Sequence, residues 1–297
     1  MQNFYPGKIL LYGEFSIILK NKALAIPLTS QGGKWENAEN AENTSLFGWL
    51  EYLKKLPHAA NYNLVHFEEE LNRGLYFESS IPQGYGAGSS GALVAAFYAH
   101  FSISTITNPS ITHLQELKKE LGVLESYFHG NSSGTDPLVS YLKHSLLLAN
   151  DKIDKINVPS PPEDLFFFLL DCGMARKTEP LVSSFLHEIH NDKNYTADFE
   201  SQYVPVVDQT IQEHLDGRFT ELKKQWLELS QLQTHFFKAM IPKNLIEYWH
   251  KGNNEGHTHL KLCGAGGGGY LLGLSTLKEK QVSLLYPDFK MIALPFS

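Results

Sequence analysis

The chain has 297 residues, of which 42% are apolar and 19% charged, and it carries a formal net charge of −7. Those totals describe a folded globular protein with a sizeable core and room for about two ordinary domains, and they exclude a disordered chain. The acidic balance and the lack of a Lys- or Arg-rich run argue against a nucleic-acid partner, and no stretch reads as a membrane span or an export signal, so a cytoplasmic protein without a membrane partner is expected.

Residues 8–19 read as a strand, a turn centred on Gly13 and a second strand, and Ala23 to Leu28 as a third strand. Lys8 and Glu14 are the two charges in this apolar region. A charge beside buried strands is unfavourable unless it is paired or serves a ligand, so both are site candidates, although Lys8 would also suit an exposed strand end. Residues 45–56 form a helical pattern capped at Thr44 or Ser45, with Leu46, Trp49, Leu50 and Leu53 on its apolar face.

The alternating stretch Gly74 to Ile81 is strand-like and leads into Pro82-Gln83-Gly84-Tyr85-Gly86-Ala87-Gly88-Ser89-Ser90-Gly91, followed by the apolar run Ala92 to Phe97. Strand, glycine loop and helix together outline an anion site, because glycines let the backbone approach a ligand and the first helical turn offers free N–H groups. Ser89 and Ser90 would serve as helix caps or hold a metal on a phosphate. The loop satisfies G-x-G-x-x-G, as does Gly264 to Gly269, but the acidic residue of a dinucleotide fold is missing, since Glu116 falls in a helical stretch; a Walker P-loop is absent too. For the loop alone, a tight turn that merely packs helix on sheet remains the alternative.

Ser110 opens a second helical pattern ending near Phe128. The stretch Glu125-Ser126-Tyr127-Phe128-His129-Gly130-Asn131-Ser132-Ser133-Gly134-Thr135-Asp136-Pro137 comes next. Asp136 before Pro137 fits a helix N-cap with proline at the first helical position, and fits equally a carboxylate facing a bound hydroxyl; spacing leaves both open. Residues 156–164, with Pro159, Pro161 and Pro162, form the linker that divides the chain into 1–158 and 159–297. The second half opens with the strand-like residues 165–170, continues through helical patterns over 181–189, 196–215, 219–240 and 243–249, and reaches a strand before the glycine run and another after it. Four consecutive glycines indicate close approach to a ligand or another loop. Residues 291–296 close the chain as a strand. Cys172 and Cys263 suggest neither disulfides nor zinc, and the pairs His187/His190 and His257/His259, lacking a third ligand at metal spacing, are expected to be solvated.

Three stretches, PGKILLYGEFSIIL from Pro6, IPQGYGAGSSGALVAA from Ile81 and KLCGAGGGGYLLGL from Lys261, stand in the order and spacing of the three signature motifs of the GHMP kinases. The chain resembles that superfamily over nearly its whole length, and ESYFHGNSSGTD resembles the mevalonate kinase branch. The resemblance implies an α+β fold, with an N-terminal domain like the second domain of ribosomal protein S5 and a ferredoxin-like C-terminal domain. It implies an ATP-dependent kinase acting on a hydroxyl of mevalonate or a close analogue, with phosphomevalonate, homoserine or a sugar as other acceptors of the superfamily, and a silent nucleotide or metabolite sensor as the non-enzymatic alternative. By resemblance, Asp136 takes the acceptor proton and Lys8 stabilises it; Pro82, Gly84, Gly86, Gly88, Ser89, Ser90, Gly91, Gly264, Gly266 and Gly267 line the nucleotide, with Thr178 near the transferred group. Ser90 and Glu125 hold Mg²⁺, while Glu14, His129 and Arg176 are candidates for the substrate side. The partner is a small molecule, and a homodimer is left open. Three positions depart from the pattern: Phe15 stands where mevalonate kinases usually have histidine, Ser132 where they have proline, and Ala87 where leucine is frequent.

Overall fold

The structure, a computed structural model, describes residues 4–107, 109–150, 152–175 and 178–296, apart from the side chains of Ile111, Thr178 and Glu179. The chain folds as two compact units, neither of them one continuous segment. The first holds the segment up to Lys8 with Pro27–Pro82 and Gly88–His144; the second holds Ile9–Ile26, Gln83–Ala87 and everything from Ser145 onward.

Strands β1 (Tyr5–Tyr12) and β2 (Ala23–Asn37) contribute residues to each unit. In the first unit, β3 (Leu75–Ser79) runs antiparallel to the far half of β2, with Trp35 opposite Phe77. Helices α1 (Thr44–Leu53), α2 (Leu64–Asn72), α3 (Ser89–Phe101), α4 (Ile111–His129) and α5 (Thr135–Leu142) complete it. The apolar face expected of α1 is buried: Trp49 has no exposure, packs on Phe97 at 4.9 Å and donates its indole N–H to the Leu124 carbonyl at 3.0 Å. Burying so large a side chain with its one donor satisfied is what makes so short a helix stable here. Asn43, rather than Thr44 or Ser45, is the N-cap residue, and its side-chain amide donates instead to the Leu71 and Leu75 carbonyls.

In the second unit, the near half of β2 pairs antiparallel with β4 (Ser145–Ala149), which pairs with β5 (Lys152–Ile156). A separate sheet has the order β7 (Thr258–Leu262), β8 (Tyr270–Ser275), β6 (Phe166–Asp171), β9 (Met291–Ala293), all antiparallel. Phe168 faces Gly273 so closely that a Cβ there would meet its ring at 2.1 Å. The helices are α6 (Thr178–Asn191), α7 (Lys193–Asp198), α8 (Val204–Leu215), α9 (Phe219–Phe236), α10 (Ile246–Glu255) and α11 (Glu279–Leu285), with a π turn at Phe199–Tyr203 joining α7 to α8. Trp226 and Trp249 lie in its core without exposure. Among the described residues no helix is long and apolar enough to cross a membrane.

Two further sequence expectations fail locally. Residues 16–19 form a short 3-10 turn and not a strand, because Phe15 and Lys20, at φ of 63° and 64°, break extended backbone at either end. His259 is buried, 7% exposed, with Nδ1 lying 3.1 Å from Asn253 Oδ1; its place on the fully buried β7 outweighs its polarity.

Candidate functional site

In the first unit the second half of the central loop delivers the chain to α3 at Gly88, the residue preceding the helix, which has φ +76° and caps the first turn with no side chain of its own. A Cβ on Gly88 would lie 3.1 Å from the Lys8 amide nitrogen, and one on Gly91 would lie 2.8 Å from the Asp136 Cβ. Glycine is therefore needed at both positions for the opening turn of α3 to reach β1 and α5. That turn keeps its N–H groups clear of a capping side chain, the arrangement that suits an anion.

Asp136 lies in the first turn of α5, and Gly134, not Asp136, is the residue that caps it. The capping role that the sequence allowed is thus unfilled, and the carboxylate is turned to Lys8, whose Nζ stands 2.7 Å from Oδ1. The two side chains are 11% and 29% exposed, so the pair is sheltered yet reachable.

Glu125, on the last turns of α4, is 3% exposed. Ser90 Oγ donates to its Oε1 at 2.8 Å and Ser132 Oγ to its Oε2 at 2.5 Å, while His129 Nε2 lies 2.8 Å from Ser90 Oγ. Burial, and then the charge of Asp136, push the Glu125 carboxyl up to about 7; the two hydroxyls and Lys8 act in the opposite sense. A buried carboxylate held by neutral hydroxyls and facing another carboxylate is an anion short of positive charge. With only oxygen donors at Ser90 and Glu125, it fits a hard divalent cation such as Mg²⁺.

In the second unit the first half of the central loop, Gln83–Ala87, lies on the glycine run. A Cβ on Gly269, at φ +67°, would fall 2.4 Å from the Tyr85 carbonyl oxygen, and the Tyr85 and Tyr270 rings meet edge to face at 5.1 Å. The run is tied down by its backbone: Gly267 donates to the Met240 carbonyl at 2.6 Å, Gly269 to that of Met174 at 2.8 Å, and the Gly269 carbonyl accepts from Cys172 at 2.9 Å. Tyr85 gives its hydroxyl to Asp171.

Glu14 has no exposure, and Lys261, equally buried, places Nζ 2.5 Å from Oε1. Burial drives the Glu14 carboxyl upward against the pull of Lys261. Phe15 packs on Phe237 at 4.4 Å and on Phe185 at 4.9 Å between ring centroids.

The first unit thus gathers Lys8, Gly88, Ser90, Gly91, Glu125, His129 and Asp136, with Ser89 on the first turn of the same helix and Pro82 at the exposed start of the loop. The second gathers Gly84 and Gly86 on the loop segment, and Gly264, Gly266 and Gly267 in the run with Glu14 beneath it. Arg176 and the Thr178 side chain lie outside the described residues. Sequence reasoning missed Ser132 as the second hydroxyl on Glu125 and Lys261 as the partner of Glu14. The position of Ser132 in a serine-rich stretch and the lone lysine on an apolar strand were the available signals.

Residues 51–144 match the GHMP kinases N terminal domain. The chain is 25% identical to the mevalonate kinase of Archaeoglobus fulgidus over 91% of its own length and 90% of that protein. Among solved structures it superposes on the L. major mevalonate kinase in complex with R-mevalonate at a TM-score of 0.69, with 17% identity over 97% and 90% of the two chains. The Streptococcus pneumoniae phosphomevalonate kinase gives 0.66, with 15% identity over 98% of each. The chain thus carries a GHMP kinase N-terminal domain at residues 51–144, shares the α+β fold of the GHMP kinases, and resembles the mevalonate kinase branch over most of its length.

Proposed function

We propose that this protein is an ATP-dependent small-molecule kinase that transfers the γ-phosphoryl group to a hydroxyl of mevalonate or a close analogue, in the cytoplasm. One observation carries the reading: the Lys8–Asp136 pair sits against the glycine-opened first turn of α3, so a proton acceptor and a cation stand beside an anion-binding helix end.

Phosphoryl transfer needs positioning and charge neutralisation more than covalent help. In this reading the α3 N–H groups and the Gly88 and Gly91 backbones at its opening hold phosphate oxygens. Lys8 fixes Asp136 through Oδ1, leaving Oδ2 to take the proton of the acceptor hydroxyl, and its ammonium remains beside the oxygen on which negative charge gathers. Ser90 and Glu125 would hold Mg²⁺, with Ser132 orienting the carboxylate; the ion, when bound, neutralises charge on the phosphates.

A second reading, a different acceptor of the same superfamily, is favoured by Phe15: the position where mevalonate kinases usually carry histidine is packed here among Phe185 and Phe237. A coupled ADP-release assay with mevalonate, phosphomevalonate, homoserine and sugars decides between them. Turnover with mevalonate supports the first reading and turnover with another acceptor the second; ATP binding without any turnover would point to a sensor and defeat both.

A further inference from the structure

Glu14 and Lys261 form an ion pair with no solvent exposure on either side chain, 247 positions apart in the chain. Ion pairs so placed add little stability, because losing water offsets their attraction, and well-packed apolar replacements are commonly as stable or more so. The surroundings indicate what the pair does instead. The Glu14 carboxylate accepts the backbone N–H of Gly264, the first residue of the glycine run. Lys261 Nζ also donates to the Leu262 carbonyl at 2.7 Å, and Gln233 Oε1 accepts the Leu262 N–H at 2.7 Å, so both main-chain groups of the last β7 residue are held by side chains. Gln233 Nε2 reaches Glu14 Oε2 at 3.4 Å and the Tyr203 hydroxyl at 3.0 Å, and Tyr203 donates to the Glu14 carbonyl at 3.3 Å. Tyr203 closes the π turn at Phe199–Tyr203, a helix irregularity frequent at functional sites.

We infer that Glu14 is a positioning residue for the glycine run: its carboxylate, fixed by Lys261 and Gln233, and its main-chain carbonyl, held by Tyr203, set where β7 ends and how Gly264 enters the run, a loop that the family resemblance assigns to the nucleotide. The function assigned to the loop rests on the kinase reading above; the anchoring does not. The fold does not need the charges, but the run needs an acceptor at the position of the Glu14 carboxylate.

The test compares two double variants with the wild type. Glu14→Leu with Lys261→Met removes charge and acceptor; Glu14→Gln with Lys261→Met removes the charge and keeps a carbonyl for Gly264. Melting temperature, amide hydrogen exchange over residues 264–269, and KM for ATP are measured on each. Both variants are expected to melt within a few degrees of wild type. The leucine variant should exchange the run at least about tenfold faster and raise KM for ATP about tenfold, and the glutamine variant should recover much of both. Unchanged exchange in the leucine variant, or failure of both variants to fold, overturns the anchoring. Faster exchange in a protein whose wild type turns over no ATP leaves the anchoring standing and removes the kinase reading.

Discussion

Gly91 and Asp136 are packed so tightly that a Cβ on the glycine would lie 2.8 Å from the Cβ of the aspartate, closer than such atoms ever stand. The methyl group of Gly91→Ala must therefore push α5 away from α3 and carry the Asp136 carboxylate with it. Overpacking of this kind costs about 1–3 kcal/mol, and a shift of about 1 Å at a catalytic group can cost a hundredfold in rate. The expected result is a folded protein with kcat reduced about a hundredfold. Gly48→Ala, where the added Cβ meets the movable tip of Tyr127 at 2.4 Å, should keep its activity. Equal kcat for the two variants in a steady-state assay would disconnect Gly91 from the site.

Asp136→Asn keeps the shape of the side chain and removes its ability to take a proton. Loss of a general base typically lowers rates about 10²–10⁴-fold, so kcat should fall within that range while ATP affinity, measured by calorimetry, stays within about threefold. Lys8→Met should also lower kcat, because the carboxylate loses the partner at 2.7 Å that orients it. Asp136→Asn turning over at near wild-type rate would remove the base assignment.

The residues behind these predictions show how far the sequence could be read. The three glycine-bearing motifs and the strand or helix beside each were legible, because glycine runs and apolar periodicity are local signals. That Asp136 pairs with Lys8 instead of capping α5 was reached through the family resemblance and not through spacing, since the choice is made by Gly134 taking the cap and by β1 passing alongside. Residues 16–19 looked like a strand because Ile17, Ile18 and Leu19 are apolar, and only the left-handed backbone of Phe15 and Lys20 shows why they turn. Lys261 is the one full charge on the buried strand β7; its partner Glu14 lies on another element, and no spacing rule joins them.

Ser132 occupies a position where proline is usual in the resembling branch, and the structure gives the hydroxyl two tasks: it donates to Glu125 and accepts the Gly134 N–H at 3.0 Å. Groups that orient a metal ligand typically matter about 10–100-fold in metal affinity. Ser132→Ala should accordingly raise the Mg²⁺ concentration for half-maximal rate about tenfold, and Glu125→Gln should raise it further. Chelation with EDTA should abolish turnover in every form. Rate-against-Mg²⁺ curves for Ser132→Ala and Glu125→Gln that overlay the wild type would dismiss Glu125 as the cation ligand.

His214 predicts how stability responds to acid. It has no exposure, its Nδ1 lies 2.8 Å from the Tyr12 hydroxyl and its Nε2 3.2 Å from the Pro159 carbonyl, so a neutral ring satisfies both neighbours by donating to Pro159 and accepting from Tyr12. Burial lowers its pKa from 6.5 to about 4, against the opposing hydrogen bond to the Pro159 carbonyl. A histidine whose folded pKa is depressed favours the folded state while neutral. Its contribution is fully present above the unfolded pKa of 6.5 and is lost as pH falls toward about 4, because the unfolded chain takes up a proton that the folded one refuses. Between those limits this one group gives a slope of about 1.4 kcal/mol per pH unit. His214→Gln is destabilised at neutral pH by the loss of its packing, but the wild-type advantage over it should shrink as pH is lowered from 7 to 4. Urea unfolding of the two proteins at half-unit pH steps reads that difference directly, and a difference that stays constant across the window would mean that His214 takes up its proton at the same pH folded as unfolded.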